Sequence, residues 1–333
     1  MSKLMNDPRD YVDEMLDGLV LAHPSLARHG AGGRVIRRTD GPKADKVGIV
    51  SGGGSGHLPL FTGYVGPGLL DACSVGNVFE GPNVASCSEA IAVANTGKGV
   101  LCLYGNYGGD RMNFDMACEM ADMEGIETAT VLGTDDIASA GTDQIGRRRG
   151  VAGIVYAYKA AGAAADAGGN LGDVTEVARR TVESTRTLGF ALAPCTVPGA
   201  AGPTFELPDG NVEMGMGIHG EPGIWRDSMK PTDTLADEMV ERLLENAPVG
   251  AGNRVSVLVN SLGATPLEEL YILYRRTAKQ LAAAGIEIAT SLVGRYTTSM
   301  EMAGASLTLC FLDEEIGRLL KAPAECPFWS VRP

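Results

Sequence analysis

An apolar segment, Lys46-Val-Gly-Ile-Val50, runs without a break into Ser51-Gly-Gly-Gly-Ser-Gly-His57. A short apolar run bounded by glycine reads as a buried strand. The glycines that follow allow close backbone approach to a ligand and positive φ at no steric cost. In open α/β sheets, ligands are held beyond the carboxyl ends of the strands. The junction therefore predicts a strand, a glycine loop and a histidine at the rim of that loop. It does not fit a P-loop, because the Gly-Lys-Ser/Thr ending is missing. A glycine run alone is also compatible with a tight strand-to-helix turn, and His57 alone with a hydrogen-bonded structural residue.

The rest of the first half alternates in the same way. Helices are expected over 8–22, 84–95 and 113–123, and strands over 99–104 and 126–132, a pattern that implies a largely parallel sheet with helices on its faces. Two long helices are expected over 151–168 and 173–188, the second capped by Asp173 with Glu176. From 189 the texture changes to proline, glycine and short strands, so a boundary is placed near 187. Beyond it come strand 211–217, helix 233–246, strand 254–259, helix 266–284 and strands 286–293 and 306–312. Thr265-Pro266-Leu-Glu268 reads as a helix start, with threonine capping and glutamate reaching back. The fold class is α/β, in two domains, each a mostly parallel or mixed sheet flanked by helices. Residues 1–187 carry the glycine-rich loop and Asp110, and residues 188–333 carry His219.

With 44% hydrophobic and 21% charged residues, the chain has the balance of a soluble globular protein. The net charge of −13 leaves no basic face for nucleic acid or an anionic membrane, so neither is expected as a partner. Seven cysteines, none in a C-x-x-C pair, read as reduced thiols of a cytoplasmic protein. No Cys/His cluster has zinc-ligand spacing, and no metal is expected. The first ten residues lack the apolar core of a signal peptide, and no apolar run reaches membrane-spanning length.

Two further strings carry chemistry. Asn106-Tyr-Gly-Gly-Asp110 follows the strand over 99–104, where Asp110 could act as a general base toward a hydroxyl or serve as a helix cap, two readings of equal weight. Gly215-Met-Gly-Ile-His219-Gly-Glu-Pro-Gly223 is the most specific string. It makes a poor helix and a poor central strand, so the chain gives up stability there. A neutral imidazole is a competent nucleophile near pH 7. Glu221 is read as closing the turn rather than orienting the ring.

Taken together, these strings resemble the sugar-binding K subunit of the dihydroxyacetone kinases. Also matching are Pro59 with Gly63-Tyr64, Asn113-Phe114, Arg148-Arg149-Gly150-Val151-Ala152, Cys195-Thr-Val-Pro198, and Leu262-Gly-Ala-Thr-Pro266 with Glu269-Leu270-Tyr271. The opening, Lys3-Leu-x-Asn6-Asp7 with Ala22-His-Pro-Ser-Leu26, matches as well. The resemblance covers nearly the whole chain. It implies that His219 bonds covalently to the ketone carbon of a short ketose as a hemiaminal, and that Asp110 takes the proton from the terminal hydroxyl. It further implies that His57 and backbone groups near Gly53 and Gly54 hydrogen-bond the sugar. A three-carbon polyol offers little surface to bury, so a reversible covalent bond would supply its orientation.

The resemblance also implies that this chain binds no cofactor of its own. ATP or ADP with Mg would sit on a separate L-type nucleotide-binding subunit, and a phosphotransferase-system phosphocarrier joins where bound ADP is recharged. The chain is expected to pair as a homodimer and to be silent without its partner. Two alternatives follow from the same family: a kinase for a four-carbon or branched ketose such as erythrulose, and a non-catalytic ketose-sensing co-activator of a transcription regulator. Three departures from the family pattern bear on the first alternative. Leu58 stands where glutamate is common, Gly105 stands where a lysine is often found, and Ser74-Val-Gly76-Asn77 replaces a Cys-Pro-Gly-like turn.

Overall fold

A computed structural model describes residues 3–332. The described residues form two six-stranded mixed sheets flanked by helices, with a small terminal hairpin. The chain packs as two compact units, each drawn from separated stretches: Met1–Leu132, Tyr156–Arg180 and Arg318–Pro333 in one, Gly133–Val155 and Thr181–Gly317 in the other. Residue 187, the expected boundary, falls inside a strand of the second sheet.

The first sheet runs β1 (Leu26–His29), β2 (Val35–Arg38), β4 (Ala72–Val78), β3 (Gly48–Ser55), β5 (Val100–Gly105), β6 (Thr128–Gly133). Strand β3 pairs in parallel with both β4 and β5, whereas the β1-β2-β4 edge is antiparallel. Helices α1 (Tyr11–Ala22), α2 (Val84–Ala94) and α3 (Gly108–Met123) precede α4 (Ile154–Asp166) and α5 (Leu171–Glu183). Ile91 of α2 and Phe114 and Ala117 of α3 pack with Val50, Cys102 and Tyr104. Helix α4 is mostly apolar, and residues 154–165 are buried. Its Tyr158 hydroxyl lies 2.7 Å from Ser51 Oγ, and its buried Lys159 donates to the Leu319 carbonyl at 2.8 Å. The glycine run differs from expectation: β3 continues through it to Ser55, buried throughout, and positive φ begins only at Gly56.

The second sheet runs β11 (Glu287–Gly294), β10 (Arg254–Ser261), β12 (Ala303–Phe311), β7 (Thr185–Ala193), β8 (Asn211–Met214), β9 (Trp225–Ser228). Only β10–β11 is parallel. Leu235, Met239 and Leu243 of α6 (Thr232–Glu245) and Leu270, Leu273 and Leu281 of α7 (Leu267–Ala283) cover it. Helix α8 (Glu314–Leu320) and the hairpin β13 (Ala324–Cys326) and β14 (Trp329–Val331) end the fold.

Three local readings are corrected. The helix expected to reach 188 stops at Glu183, and the threonine-rich stretch after it enters β7. That helix is boxed three residues earlier than expected: Asn170 and Asp173 exchange backbone-to-carbonyl and backbone-to-carboxylate bonds at 3.0 and 3.3 Å, while Glu176 pairs with Arg179. Thr265 does not cap α7. Its hydroxyl donates to the Gly304 carbonyl at 2.7 Å and accepts the Gly304 amide at 2.8 Å, tying the helix entry to β12.

A buried cluster of ion pairs, Arg38 and Lys46 on Asp71, anchors the start of β3. Lys46 Nζ lies 2.8 Å from both Asp71 oxygens, one of which also accepts the Ile49 amide at 2.9 Å. The Asp71 side chain is 0% exposed and that of Lys46 2%. Asp71→Ala would leave the buried ammonium only the more distant carboxylate of Asp166, at 3.6 Å, so we expect a loss of about 3–5 kcal/mol in urea unfolding. A loss below about 1 kcal/mol would show that Asp166 alone satisfies Lys46.

Candidate functional site

The sequence-derived residues fall in the two units, and each group is built around its own histidine. In the first unit, the end of β3 is crowded. A Cβ on Gly53 would lie 2.2 Å from the Phe61 ring, and one on Gly54 would lie 2.8 Å from the Glu80 amide nitrogen. Glycine is required here by close approach. The β3–β4 register passes from Gly53–Val75 to Ser55–Val78, and this irregularity takes Gly54 out of the ladder. His57 is 1% exposed. Its ring stacks on Phe79 at 5.0 Å and meets Phe61 edge-on at 6.4 Å. Both phenylalanines adopt positive φ, 67° at Phe61 and 60° at Phe79, a conformation that costs about 1–3 kcal/mol each and clusters at functional sites.

Asp110 sits in the first turn of α3, buried, in the position where a helix best tolerates a carboxylate. It is the third residue of the helix, whose N-cap is Tyr107. A Cβ on Gly81 would lie 2.4 Å from Asp110 Oδ1, and Asn113 Nδ2 donates to the Pro82 carbonyl at 2.8 Å. The segment Phe79-Glu80-Gly81 thus touches Gly54, His57 and Asp110 at once, through its ring, a backbone nitrogen and a bare Cα. Sequence reasoning passed over it because these contacts are made by a ring, a backbone nitrogen and a Cα, not by the Glu80 carboxylate.

In the second unit, His219 lies in the connection between β8 and β9. The strand expected over 211–217 stops at Met214 because Gly215 takes φ 84°. The turn is closed by the Gly217 amide to the Glu221 carbonyl at 3.1 Å and the Gly220 amide to the Gly217 carbonyl at 3.2 Å. Glu221 does more than close it. Its Oε2 accepts the His219 amide at 2.9 Å, and its Oε1 lies 3.1 Å from His219 Nδ1. Burial works to raise the Glu221 carboxyl, but the His219 hydrogen bond and the charges of His219 and Arg149 outweigh it and bring it to about 2. An anionic carboxylate can only accept. The ring proton therefore belongs on Nδ1, leaving the lone pair on Nε2.

Behind Glu221 stands Arg149, whose NH1 lies 3.7 Å from Oε2 and whose NH2 lies 2.8 Å from Asp136 Oδ2. A Cβ on Gly217 would fall 2.1 Å from Glu221 Oε2 and 2.7 Å from Arg149 NH1, so the glycine of the histidine string makes room for this pair. Burial pushes Asp136 up to about 6 despite the neighbouring guanidinium. Arg149 was visible in the Arg148–Ala152 string without a role.

Among the described residues, no group of three or more His, Cys, Asp or Glu is placed to hold a metal ion, and no helix is long and apolar enough to cross a membrane. The cysteines are thiols, with Cys102 and Cys118 3.8 Å apart.

Two mixed α/β sheets, a glycine-crowded strand end beside a buried histidine, and a second histidine whose Nδ1 faces a carboxylate make up the candidate site. The chain belongs to the Dak1 domain family, which it matches over residues 17–328. It is 44% identical over 330 residues to the dihydroxyacetone-binding subunit DhaK of PTS-dependent dihydroxyacetone kinase 1 from Listeria innocua, with 99% of this chain and all of that protein covered. It is 43% identical to an L-erythrulose kinase of Pectobacterium atrosepticum, covering 98% of this chain and 56% of that protein. The solved structure of the dihydroxyacetone kinase operon co-activator Dha-DhaQ superposes with a TM-score of 0.88 at 34% identity, covering 95% of this chain and 97% of that one.

Proposed function

We propose that this chain is the substrate-binding subunit of a short-ketose kinase of the dihydroxyacetone type. His219 Nε2 attacks the ketone carbon. The C–N bond forms as the π pair moves to oxygen; that oxygen takes a proton from water and the alkylated ring releases its Nδ1 proton to water, while Glu221 stays anionic. The result is a neutral hemiaminal that fixes the sugar without extensive burial. His57, clamped by its two phenylalanines, and the backbone at Gly53 and Gly54 hydrogen-bond the sugar, and Asp110 takes the proton of the terminal hydroxyl. The phosphoryl group comes from ATP, or from ADP recharged through a phosphotransferase-system phosphocarrier, held with Mg on an L-type subunit. In this reading the protein is a cytoplasmic homodimer.

The observation that carries the reading is the Glu221-oriented imidazole within a chain 44% identical, end to end, to a dihydroxyacetone-binding subunit. A specific observation also favours a four-carbon substrate. Gly105 and Leu58 take the places where lysine and glutamate are common, removing a cation and a carboxylate, and an erythrulose kinase stands among the relatives. With an L subunit and donor supplied, kcat/KM for dihydroxyacetone and for both erythrulose enantiomers decides the substrate. We expect erythrulose to be turned over at least as well as the triose. A clear triose preference returns the assignment to dihydroxyacetone, and no turnover of any of the three, with ketose still bound, assigns the co-activator role.

A further inference from the structure

Arg149 is held by Asp136 and Ser139 and turns NH1 toward Glu221. Its Nε donates to Asp136 Oδ2 at 2.9 Å, its amide donates to Ser139 Oγ at 2.9 Å, and its carbonyl accepts the Asp136 amide at 3.1 Å. Asp136 is held in turn: its Oδ1 accepts the Ala138 amide at 3.0 Å, and its carbonyl accepts the Ser139 hydroxyl at 2.8 Å. The Arg149 side chain is 15% exposed and that of Asp136 5%, so their charges act with little screening by solvent. At 3.7 Å the guanidinium reaches Glu221 Oε2 by charge rather than by a hydrogen bond. It holds the oxygen that takes the His219 amide, which leaves the other oxygen facing Nδ1.

We propose that Arg149, braced by Asp136, is a positioning residue: it fixes the Glu221 carboxylate so that His219 keeps its proton on Nδ1 and presents Nε2 to the ketone. This rests on the reading of His219 as the nucleophile. Without the guanidinium, only the His219 amide and ring hold the Glu221 carboxylate, and a neutral imidazole whose partner is less firmly placed distributes its proton over both nitrogens. The Nε2–H form cannot attack.

The test uses the full chain with 15N-labelled histidine rings, and its first readout needs no substrate. In the native protein, long-range 1H–15N correlations of His219 should show the Nδ1–H tautomer. Arg149→Met should show a mixture, and Arg149→Lys should restore the native pattern. In parallel, dihydroxyacetone labelled with 13C at the carbonyl should move from the ketone to the hemiaminal shift on the native protein. Its affinity for Arg149→Met should fall roughly tenfold, as for loss of an outer partner of a reacting imidazole. Should Arg149→Met fail to fold, Arg149→Gln carries the same comparison. An unchanged tautomer and affinity in the variant overturn the role of Arg149. Absence of the hemiaminal signal from the native protein overturns the reading of His219 instead.

Discussion

His219→Ala is expected to abolish the ketose adduct and to lower kcat/KM by at least on the order of 10³, the scale on which an intramolecular anchor outperforms a freely diffusing one. The ring's side chain is 22% exposed and packs in a turn rather than in a core, so the variant should fold normally. This separates chemistry from stability. The remaining proposed contacts, from His57 and the backbone of Gly53 and Gly54, would offer hydrogen bonds that water also offers a dihydroxyketone, and hydrogen bonds of that kind contribute only about 0.5–1.5 kcal/mol net. Labelled dihydroxyacetone should therefore show only the free ketone and its hydrate. A persisting hemiaminal signal would place the nucleophile on another residue.

Asp110→Asn should do the opposite, preserving the adduct and removing turnover. The amide keeps the shape of a side chain buried in the first turn of α3 against Gly81, but it cannot take the hydroxyl proton. Loss of a general base costs about 10²–10⁴ in rate. With an L subunit present, single-turnover phosphorylation should slow by that factor while the 13C adduct signal keeps its native intensity. Native turnover in the variant would move the base elsewhere, with His57 the next residue to test.

The glycine-histidine strings were legible because they spend stability in ways that few architectures need. What they announced was less accurate in its detail. Gly53 and Gly54 were expected in a loop, yet they lie in or beside a buried strand, where the pressure is lateral, from Phe61 and the backbone at Glu80. That pressure comes from residues that approach only in the folded chain. Glu221 was read as a turn residue because a Gly-x-His-Gly-Glu-Pro-Gly spacing satisfies both roles, and only the two oxygen contacts distinguish them. The helix that overran into β7 did so because Ser184-Thr185-Arg186-Thr187 holds no breaker. Thr265 shows the same limit: its local pattern is that of a cap, and a strand distant in sequence claims its hydroxyl instead.

Residues 318–332 complete the first unit. The Glu325 amide bonds the Pro67 carbonyl at 3.0 Å, Trp329 meets Tyr64 edge-on, and the bare Cα atoms of Gly66 and Gly68 lie against the backbone of Glu325 and Pro323. On the ribosome, the unit that carries His57 and Asp110 must wait, with this flank open, until synthesis has passed through the whole of the other unit. A fragment cut at 187 would carry the same open flank permanently, which makes it an invitation to chaperones and proteases rather than a usable half-enzyme.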